Sequence, residues 1–481
     1  MKTAISSVLL TILILTGGCL RNIDNLNTLQ DYNQTFSHRK KISLDRIRLL
    51  TLSEAGAIAL ANNPSLLAAA SSIKTAEYAY YRSMSAWSPE ISVYEEVKNS
   101  NSRGYDLRHP PSGIFPEENR FSTSGTIRAT WLLFNGLARE LDIVVSRLEY
   151  KRNTAIAEDV KRLLLRAVAY TWCDILLSSE EILIFQADKA FQDAALKQAE
   201  QQFKSGHISY STVLNFKVLS SKAQSKISIA KYNRQTAVNA LASLLGYDSK
   251  EFPSDIELHP VSFTETVLHH PLDFYLEQAV RNRPDLKAEK LQFEKAFRQK
   301  QAAFAAFMPE IHLFADFSFD NASATYKNYA VRSSYYNRPA FAYGITGTWN
   351  LFRGFDSFNE IRRRNALEHV AKWGLNKKYL DVTVEVRDAI DNCRNTIIQT
   401  KIFQNMANWV LEQRELIYSE YLNGRETIAR VNQAQSELVE ARNSLALWKT
   451  QFYKAQAQLK AAIGTDAVPD IESIKLRKIS E

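Results

Sequence analysis

The chain has 481 residues, with only 15 glycines and 12 prolines, and a formal net charge of +8. Scarce glycine and proline favour long helices with few turns. The positive charges are scattered, which argues against a nucleic-acid partner, because such partners bind clustered basic residues.

At the start of the chain, Lys2 precedes an apolar run from Ile5 to Leu15. That run is too short to span a membrane and predicts a secretory signal peptide over residues 1–18.

The apolar run is followed by Thr16, Gly17, Gly18 and Cys19. Small residues directly before a cysteine are typical of lipoprotein processing, so we predict that Cys19 is acylated and becomes the first residue of the mature chain. Ordinary cleavage nearby is the alternative. The N-terminal segment 19–50 that follows has no strong periodic pattern.

The rest of the chain is an internal duplication. Residues 51–246 recur as 272–464, first at an offset of 220 and later at an offset of 218. Self-similarity of this kind indicates one supersecondary unit present twice, joined by a linker over 247–271 and followed by a tail over 465–481. The recurring positions include Ala59, Asn62, Pro64, Leu66, Pro89, Trp131, Gly136, Gly206 and Gly246, which return as Ala279, Asn282, Pro284, Leu286, Pro309, Trp349, Gly354, Gly424 and Gly464.

Each repeat opens with a helical pattern, which in the first copy runs from Leu52 to about Trp87 and is ended by Pro89. The period then changes to two, which predicts two strands around a polar loop. We predict strands at about 90–98 and 121–131 in the first copy, and at about 310–320 and 341–351 in the second. Strands of this length can cross the hydrocarbon of a membrane if they are tilted.

The alternation in these strands fits either a soluble core or a lipid-facing surface. Trp131 and Trp349 suggest the aromatic girdle of a membrane barrel, with aromatic core residues of a soluble sheet as the alternative. After the signal peptide the sequence contains no apolar run long enough for a transmembrane helix. Four strands cannot close a barrel, so a membrane interpretation requires several copies of the chain to share one.

The third part of each repeat is a very long helix that turns back on itself. The first runs from Leu137 to Phe203, breaks at Gly206 and returns to Gly246, and the second runs from Phe355, breaks at Gly424 and returns to Gly464. The two breaking glycines fit left-handed C-caps, with Ser209 and Thr427 as N-caps of the returning helices. The returning and opening helices, placed end to end, match the long helix in length, and helices this long must pack side by side.

No catalytic constellation is present in the sequence. It has no phosphate-binding glycine loop, no zinc-protease motif and no nucleophile elbow. His269 and His270 are adjacent in a proline-flanked loop, which fits solvated side chains better than metal ligands. Cys173 and Cys393 lie within predicted helices and fit buried free thiols better than a disulfide. We therefore expect no enzymatic activity, no cofactor and no metal.

Residues 50–465 resemble the TolC-like outer membrane efflux and secretion channels. The resemblance is carried by the paired Ala-x-x-Asn-x-Pro-x-Leu stretches at 59–66 and 279–286, the Pro-Glu-Ile strand openings, the Trp-Leu-Leu-Phe-Asn-Gly and Trp-Asn-Leu-Phe-Arg-Gly motifs at 131–136 and 349–354, and the two glycine turns. The resemblance implies a mostly α fold with membrane β structure, built from a duplicated helix–β-hairpin–helical-hairpin unit. It also implies a homotrimer with one 12-stranded β-barrel and a long α-helical periplasmic tunnel.

The resemblance further implies a passive exit duct in the outer membrane of a Gram-negative bacterium, in contact with outer membrane lipid. Such a duct serves a tripartite efflux pump or a type I secretion system. It docks to a periplasmic adaptor (membrane fusion) protein and through it to an inner membrane transporter. The alternative is a periplasmic coiled-coil scaffold protein that transports nothing.

Site residues follow from the same resemblance, position by position. The adaptor-docking tips are Ser205, Gly206, His207, Asn423, Gly424 and Arg425. The periplasmic gate comprises Thr212, Asn215, Tyr421, Glu426, Arg430 and Gln433. Related channels often carry acids six and nine residues after the second tip glycine, where this chain has Arg430 and Gln433. The family's acidic ring is therefore expected to be absent, and Glu426 stands where a gating arginine can occur.

Overall fold

The computed structural model describes residues 49–103, 117–247, 252–253, 257–258, 270–327 and 333–468. The predicted signal peptide, Cys19, most of segment 19–50, most of linker 247–271 and most of tail 465–481 lie outside these described residues. The first copy comprises β1 (Leu49–Leu50), α1 (Leu52–Asn62), α2 (Pro64–Met84), β2 (Glu90–Arg103), β3 (Glu117–Phe134), α3 (Ala138–Lys204) and α4 (Tyr210–Leu244). After β4 (Glu257–Leu258), the second copy comprises α5 (Leu272–Asn282), α6 (Pro284–Ala303), β5 (Glu310–Lys327), β6 (Ser333–Thr348), α7 (Asp356–Leu422) and α8 (Ile428–Ala462).

The opening helix is two helices, which corrects the prediction of a single helix from Leu52 to Trp87. Asn63 has an extended backbone at φ −62° and ψ 123°, because the residue before a proline is disfavoured in the helical region. Its side chain then caps α2 by accepting a hydrogen bond from the Ser65 backbone N–H at 2.9 Å, with Pro64 as the first helical residue. Arg283 occupies the same extended position before Pro284 in the second copy.

The strands are longer than predicted. β2 extends to Arg103 and β3 begins at Glu117, so both strands take in part of the predicted polar loop. Residues 104–116 lie outside the described part of the chain. β6 begins at Ser333 and ends at Thr348, so the predicted strand over 341–351 was placed too far along the chain. Pro339 lies within β6, opposite Phe319 of β5.

The four long strands form one antiparallel sheet in the order β2-β3-β5-β6. The register runs unbroken along β2 and β3, from Glu90 opposite Thr130 to Arg103 opposite Glu117. One irregularity interrupts the β3–β5 pairing, between Leu132 and Phe134. Because β3 and β5 come from different copies, their pairing joins the two repeats into one sheet.

Each returning helix meets the second helix of its own repeat end to end, as predicted from the helix lengths. The Asn63 side chain donates a hydrogen bond to the carbonyl oxygen of Leu244 at 2.9 Å, which joins the end of α4 to the start of α2. In the second copy, the Arg283 guanidinium donates to the carbonyl oxygen of Ala462 at 3.0 Å and joins α8 to α6. Each copy therefore contains one continuous helical column and one stacked column.

The columns pack side by side in the order α4/α2, α3, α8/α6, α7. The seam between α3 and α8 joins the two copies. One of its apolar clusters is formed by Ile184, Val439 and Ala446, and Trp172 on α3 is fully buried. Among the described helices, none has an apolar stretch long enough to cross a membrane.

The recurring tryptophans, Trp131 and Trp349, connect the sheet to the helical segments through hydrogen bonds. The Trp131 indole N–H donates to the carbonyl oxygen of Trp87 at 2.9 Å, and the Trp349 indole N–H donates to that of Phe307 at 3.0 Å. Both acceptors lie in the short 3₁₀ segments that precede β2 and β5. These bonds explain why the two tryptophans recur at one place in each repeat. They add a structural role to the membrane-interface role that the sequence suggested.

Candidate docking and gating site at the helical tips

The first tip is a tight turn between α3 and α4. Gly206 has φ +78°, as predicted, and its N–H donates to the carbonyl oxygen of Phe203 at 3.0 Å. The His207 N–H donates to the carbonyl oxygen of Gln202 at 2.9 Å, which completes a Schellman motif. The His207 ring nitrogen Nδ1 lies 2.9 Å from the Ser205 hydroxyl. Ser209 is the N-cap residue of α4, but its side chain makes no capping hydrogen bond to the backbone.

The second tip repeats this geometry between α7 and α8. Gly424 has φ +73°, and the Arg425 N–H donates to the carbonyl oxygen of Glu420 at 2.9 Å. The Thr427 hydroxyl accepts from the Arg430 N–H at 3.3 Å, so Thr427 caps α8 as predicted. The Asn423 side chain donates to the Ser419 carbonyl oxygen at 3.0 Å and supports the end of α7.

The two tips meet around a shared cavity of about 480 Å³. Phe191 and Phe216 contribute apolar walls from the first hairpin, and Tyr418 and Val431 contribute them from the second. Of the residues predicted for the docking tips and the gate, the structure brings five to this cavity: His207, Thr212, Tyr421, Gly424 and Glu426. The others, Ser205, Gly206, Asn215, Asn423, Arg425, Arg430 and Gln433, do not line it.

Arg430 is half-buried and hydrogen-bonded within its own helix. Its guanidinium donates to Gln433 Oε1 at 3.3 Å, and the Gln433 amide donates to Glu437 Oε1 at 2.9 Å. The Glu426 carboxylate instead accepts from the Thr427 backbone N–H at 3.3 Å. Within the described part of the chain, no ion pair joins Arg430 to Glu426, which lies in the turn before α8. Among the described residues, the guanidinium of Arg430 therefore has no carboxylate partner.

Sequence reasoning missed a set of polar side chains buried close to the tips. They lie in the seam between α3 and α8 and are Asp188, Gln192, Asn432 and Gln435. Their signal in the sequence is the presence of polar residues at helix positions whose neighbours along the same face are apolar, such as Ile184 and Val439. That signal becomes visible only once the facing helix is known.

The sheet has one apolar and one polar face, because successive side chains of a strand point to opposite sides. The apolar face is highly exposed in the single chain, with Val93 at 73% and Tyr343 at 76%. It carries Ile91, Val93, Ile127, Trp131, Leu313, Phe317, Phe319, Phe341, Tyr343 and Ile345. The other face carries Ser92, Thr126, Arg128, Asp316, Ser318, Asp320 and Arg338, with Arg128 paired to Asp316 at 2.8 Å.

The two helical cysteines are free and buried, as predicted. Burial raises the pKa of the Cys173 thiol and of the Cys393 thiol to about 12 in each case. Both sulfurs therefore stay protonated and unreactive at neutral pH. Among the described residues, no group of three or more His, Cys, Asp and Glu side chains is arranged to hold a metal ion. His270 stacks on Phe274, with ring centroids 4.1 Å apart.

Known proteins share this architecture. The family of outer membrane efflux proteins matches residues 56–247 and 275–465, which correspond to the two repeats. The outer membrane protein TolC of Vibrio cholerae is 20% identical over 413 residues, covering 86% of this chain and 90% of that protein. The crystal structure of Vibrio cholerae VceC superposes with a TM-score of 0.73 at 16% identity, covering 86% of this chain and 96% of that one. The Campylobacter jejuni CmeC channel superposes with a TM-score of 0.73 at 14% identity, covering 88% of each chain.

A duplicated chain with a four-stranded sheet, long helical columns and two paired tips is the architecture of an outer membrane channel. The chain belongs to the outer membrane efflux protein family. The fold class predicted from the sequence is thereby confirmed, and so are the resemblance and the location in the outer membrane, with the helices forming the periplasmic tunnel. The coarse function that the family carries is an exit channel for efflux, which is a transport function and not a catalytic one.

Proposed function

We propose that three copies of this chain form a passive exit duct that docks to a periplasmic adaptor protein through its helical tips. The observation that carries the proposal is the sheet with two open edges. β2 and β6 lie at its edges, and within the described residues each lacks a partner on its outer side along 14 and 16 residues respectively. Unpaired edges of this length require pairing, and four strands are too few to close on themselves.

Pairing β6 of one copy with β2 of the next satisfies both edges at once. Three copies of the four-stranded sheet then give one closed barrel of 12 strands. The exposed apolar face would contact lipid, and the face with Arg128 and Asp316 would line the water-filled interior. The alternation of apolar and polar residues along each strand is the arrangement expected for a membrane barrel.

The helices support the same stoichiometry. α7 closes one side of the helical wall and carries exposed apolar side chains at spacings built from three, four and seven residues, which is typical of a helix that packs against another. These are Leu367, Val370, Trp373, Leu380, Val384, Ile398, Ile402, Trp409 and Leu416. The α4/α2 column on the opposite side of the wall exposes Tyr78, Tyr81, Leu214, Val218, Ile229 and Tyr232. We infer that α7 of each copy packs on the α4/α2 column of its neighbour.

The tips are the parts of the tunnel best suited to a protein partner. Gly206 and Gly424 have open space around them, and the cavity between the tips is largely lined by apolar and aromatic side chains. A partner that inserts apolar side chains there would contact both copies of the repeat at once. This supports an adaptor that bridges the duct to an inner membrane transporter of an efflux pump or a secretion system.

Membrane extraction separates a duct from a periplasmic scaffold. We expect the full-length protein to remain in the membrane pellet after washes with high salt and with alkali, and to elute from detergent as particles of three chains by light scattering. Release by salt or alkali, or single chains in mild detergent, would favour the scaffold.

Trp409→Glu should reduce the trimer fraction, because it places a charge in the apolar stripe of α7. Asn408→Glu is the matched control on a different face of the same helix.

A second prediction concerns the ion selectivity that the positive charge of Arg430 gives to the duct. In a trimer, three copies would bring three positive charges around one narrow entrance, and low-dielectric walls concentrate their field. We expect the closed end to pass anions more readily than cations, and Arg430→Asp to shift the reversal potential in planar bilayers toward cation selectivity and to create block by trivalent cations. Arg425→Asp at the exposed tip is the control and should change neither property. Unchanged selectivity in Arg430→Asp would mean that Arg430 does not line the pore.

A further inference from the structure

A polar cluster is enclosed in the seam between α3 and α8, close to the tips. Asp188 and Gln192 lie one turn apart on α3, and Asn432 and Gln435 lie one turn apart on α8. Their exposed fractions are 9%, 3%, 8% and 5% respectively. Polar groups at this depth need hydrogen-bond partners, and a carboxylate needs a positive charge as well.

The four side chains leave three oxygens and one amide nitrogen without hydrogen-bond partners, and none of the four carries a positive charge. Asp188 Oδ1 accepts from the Gln435 amide at 3.0 Å and from the Gln192 amide at 3.4 Å. Within the described residues, Asp188 forms no ion pair, and the nearby Arg414 of α7 is paired to Glu415 at 3.1 Å. The buried atoms Gln192 Oε1, Gln435 Oε1 and both polar atoms of the Asn432 side chain have no hydrogen-bond partner.

Comparison of the two copies of the repeat shows that the helical hairpins do not require polar residues at the positions of this cluster. At the offset of 218, the positions equivalent to Asp188 and Gln192 are Met406 and Val410 on α7. Those equivalent to Asn432 and Gln435 are Leu214 and Lys217 on α4. Three of these four residues are apolar, so the oxygen-rich cluster is confined to the seam between the two copies within one chain.

We propose that Asp188, Gln192, Asn432 and Gln435 form a binding site for a hard, oxygen-preferring cation such as Ca²⁺. Carboxylate and amide oxygens are the ligands that such cations take in proteins. A half-turn of a carboxamide exchanges its nitrogen and oxygen in nearly the same volume, which would direct the oxygens of Gln192 and Gln435 at a cation beside Asp188. The cation would supply a positive charge beside Asp188 and a partner for Asn432 Oδ1.

Because the ligands come from both copies of the repeat, the bound cation would hold α3 to α8 next to the tips. Asn432 and Gln435 lie about one and two helical turns after the start of α8 at Ile428. A single carboxylate gives a weak site, with a dissociation constant on the order of 10⁻⁴–10⁻³ M, as in extracellular calcium modules. All four residues belong to one chain. The cation site can therefore be tested independently of trimer formation and adaptor docking.

The experiment is calorimetric titration of the purified, chelator-treated, full-length protein in detergent with Ca²⁺, Mg²⁺ and Na⁺. We expect about one Ca²⁺ per chain and a melting temperature that rises with added Ca²⁺. Asp188→Asn should abolish both effects. Asp193→Asn is the matched control, because Asp193 lies on the same helix but is exposed and paired to Lys189 at 2.6 Å, and it should bind Ca²⁺ as the wild type does.

If Asp188→Asn does not fold, Asn432→Leu and Gln435→Met provide the same readout without altering the carboxylate. Each should weaken Ca²⁺ binding at least tenfold while the far-ultraviolet circular dichroism of the protein stays unchanged. The proposal is overturned if the wild type binds none of the three cations at millimolar concentration, which would mean that water alone fills the cluster. Binding that all three variants retain would overturn it equally, because the cation would then lie elsewhere.

Discussion

We expect Gly464→Ala to lower the melting temperature of the detergent-purified protein at least twice as much as Gly424→Ala does. Both glycines have positive φ, at +80° and +73°, so either alanine adopts a left-handed conformation that costs roughly 1–2 kcal/mol. The surroundings differ. A Cβ at Gly464 would lie 2.8 Å from the carbonyl carbon of Asn282 and 2.9 Å from the nitrogen of Arg283, whereas nothing lies within 4 Å of one at Gly424.

The overlap at Gly464 is with backbone, so no side-chain rotation relieves it. The helix end must move away from the start of α6, which breaks the joint between the stacked helices. Gly246 is in the same situation, with the carbonyl oxygen of Asn62 at 2.7 Å, and Gly246→Ala should behave like Gly464→Ala. Scanning calorimetry of the detergent-purified variants measures the difference in melting temperature. Equal decreases in melting temperature for Gly464→Ala and Gly424→Ala would contradict this prediction. They would show that the contact between the end of α8 and the start of α6 accommodates the added methyl group.

A different substitution at Gly424 tests the proposed docking surface at the tip. Gly424→Val should fold and form trimers, because its side chain meets open space. It should nevertheless lose crosslinking to the adaptor and lose export, because a β-branched residue cannot hold the left-handed turn without distorting it. Normal export together with normal crosslinking would count against the tip assignment, although the fold would be unaffected.

The glycine and proline positions made much of this fold predictable. A repeat that keeps Gly206 and Gly424 in register, inside otherwise uninterrupted helical patterns, leaves few alternatives to a helical hairpin with a left-handed turn. The stacking of returning on opening helices followed from their lengths alone. The number of strands and their pairing into hairpins followed from the change of period.

The details that sequence reasoning missed depend on contacts between distant segments. The break at Asn63 is stabilised by its hydrogen bond to Leu244, which lies 181 residues further along the chain. The outer ends of the strands carry polar residues on both faces, so their sequence has a loop-like composition although the pairing continues. Asp188 looks like an ordinary exposed acid until α8 is placed over it. Arg430 has Glu426 four residues before it and Gln433 three residues after it, and only the structure shows that its hydrogen bond goes to Gln433.

The largest electrostatic effect is expected at the joint of the second stacked column. Asp285 is 9% exposed and accepts two hydrogen bonds from Arg283, at 3.0 and 2.7 Å, and it pairs with Lys378 at 2.7 Å. Arg283 also pairs with Glu385 at 2.7 Å and donates to the carbonyl oxygen of Ala462. Removing one partner of such a cluster leaves buried charges uncompensated, so we expect Asp285→Asn to destabilise the protein by about 3–5 kcal/mol at pH 7.

The pH dependence of this effect has a definite sign. Burial alone would raise the pKa of Asp285, but the hydrogen bonds and charges of Arg283 and Lys378 outweigh it and hold that pKa well below the ordinary value of 3.8. The carboxylate therefore stabilises the folded state fully above about pH 4, and this stabilisation is lost as the pH falls toward the lowered pKa. Melting curves of wild type and Asp285→Asn should differ most at neutral pH and approach each other below pH 4.

Glu360→Gln provides the control for the Asp285 experiment. The pKa of Glu360 is also lowered, to about 2, through hydrogen bonds from Arg363 and Arg364, but these groups lie at the protein surface, where ion pairs contribute little to stability. We therefore expect Glu360→Gln to melt like the wild type at neutral pH. A gap between wild type and Asp285→Asn that stays constant down to pH 2 would show that the lost stability comes from packing and not from the charge of Asp285.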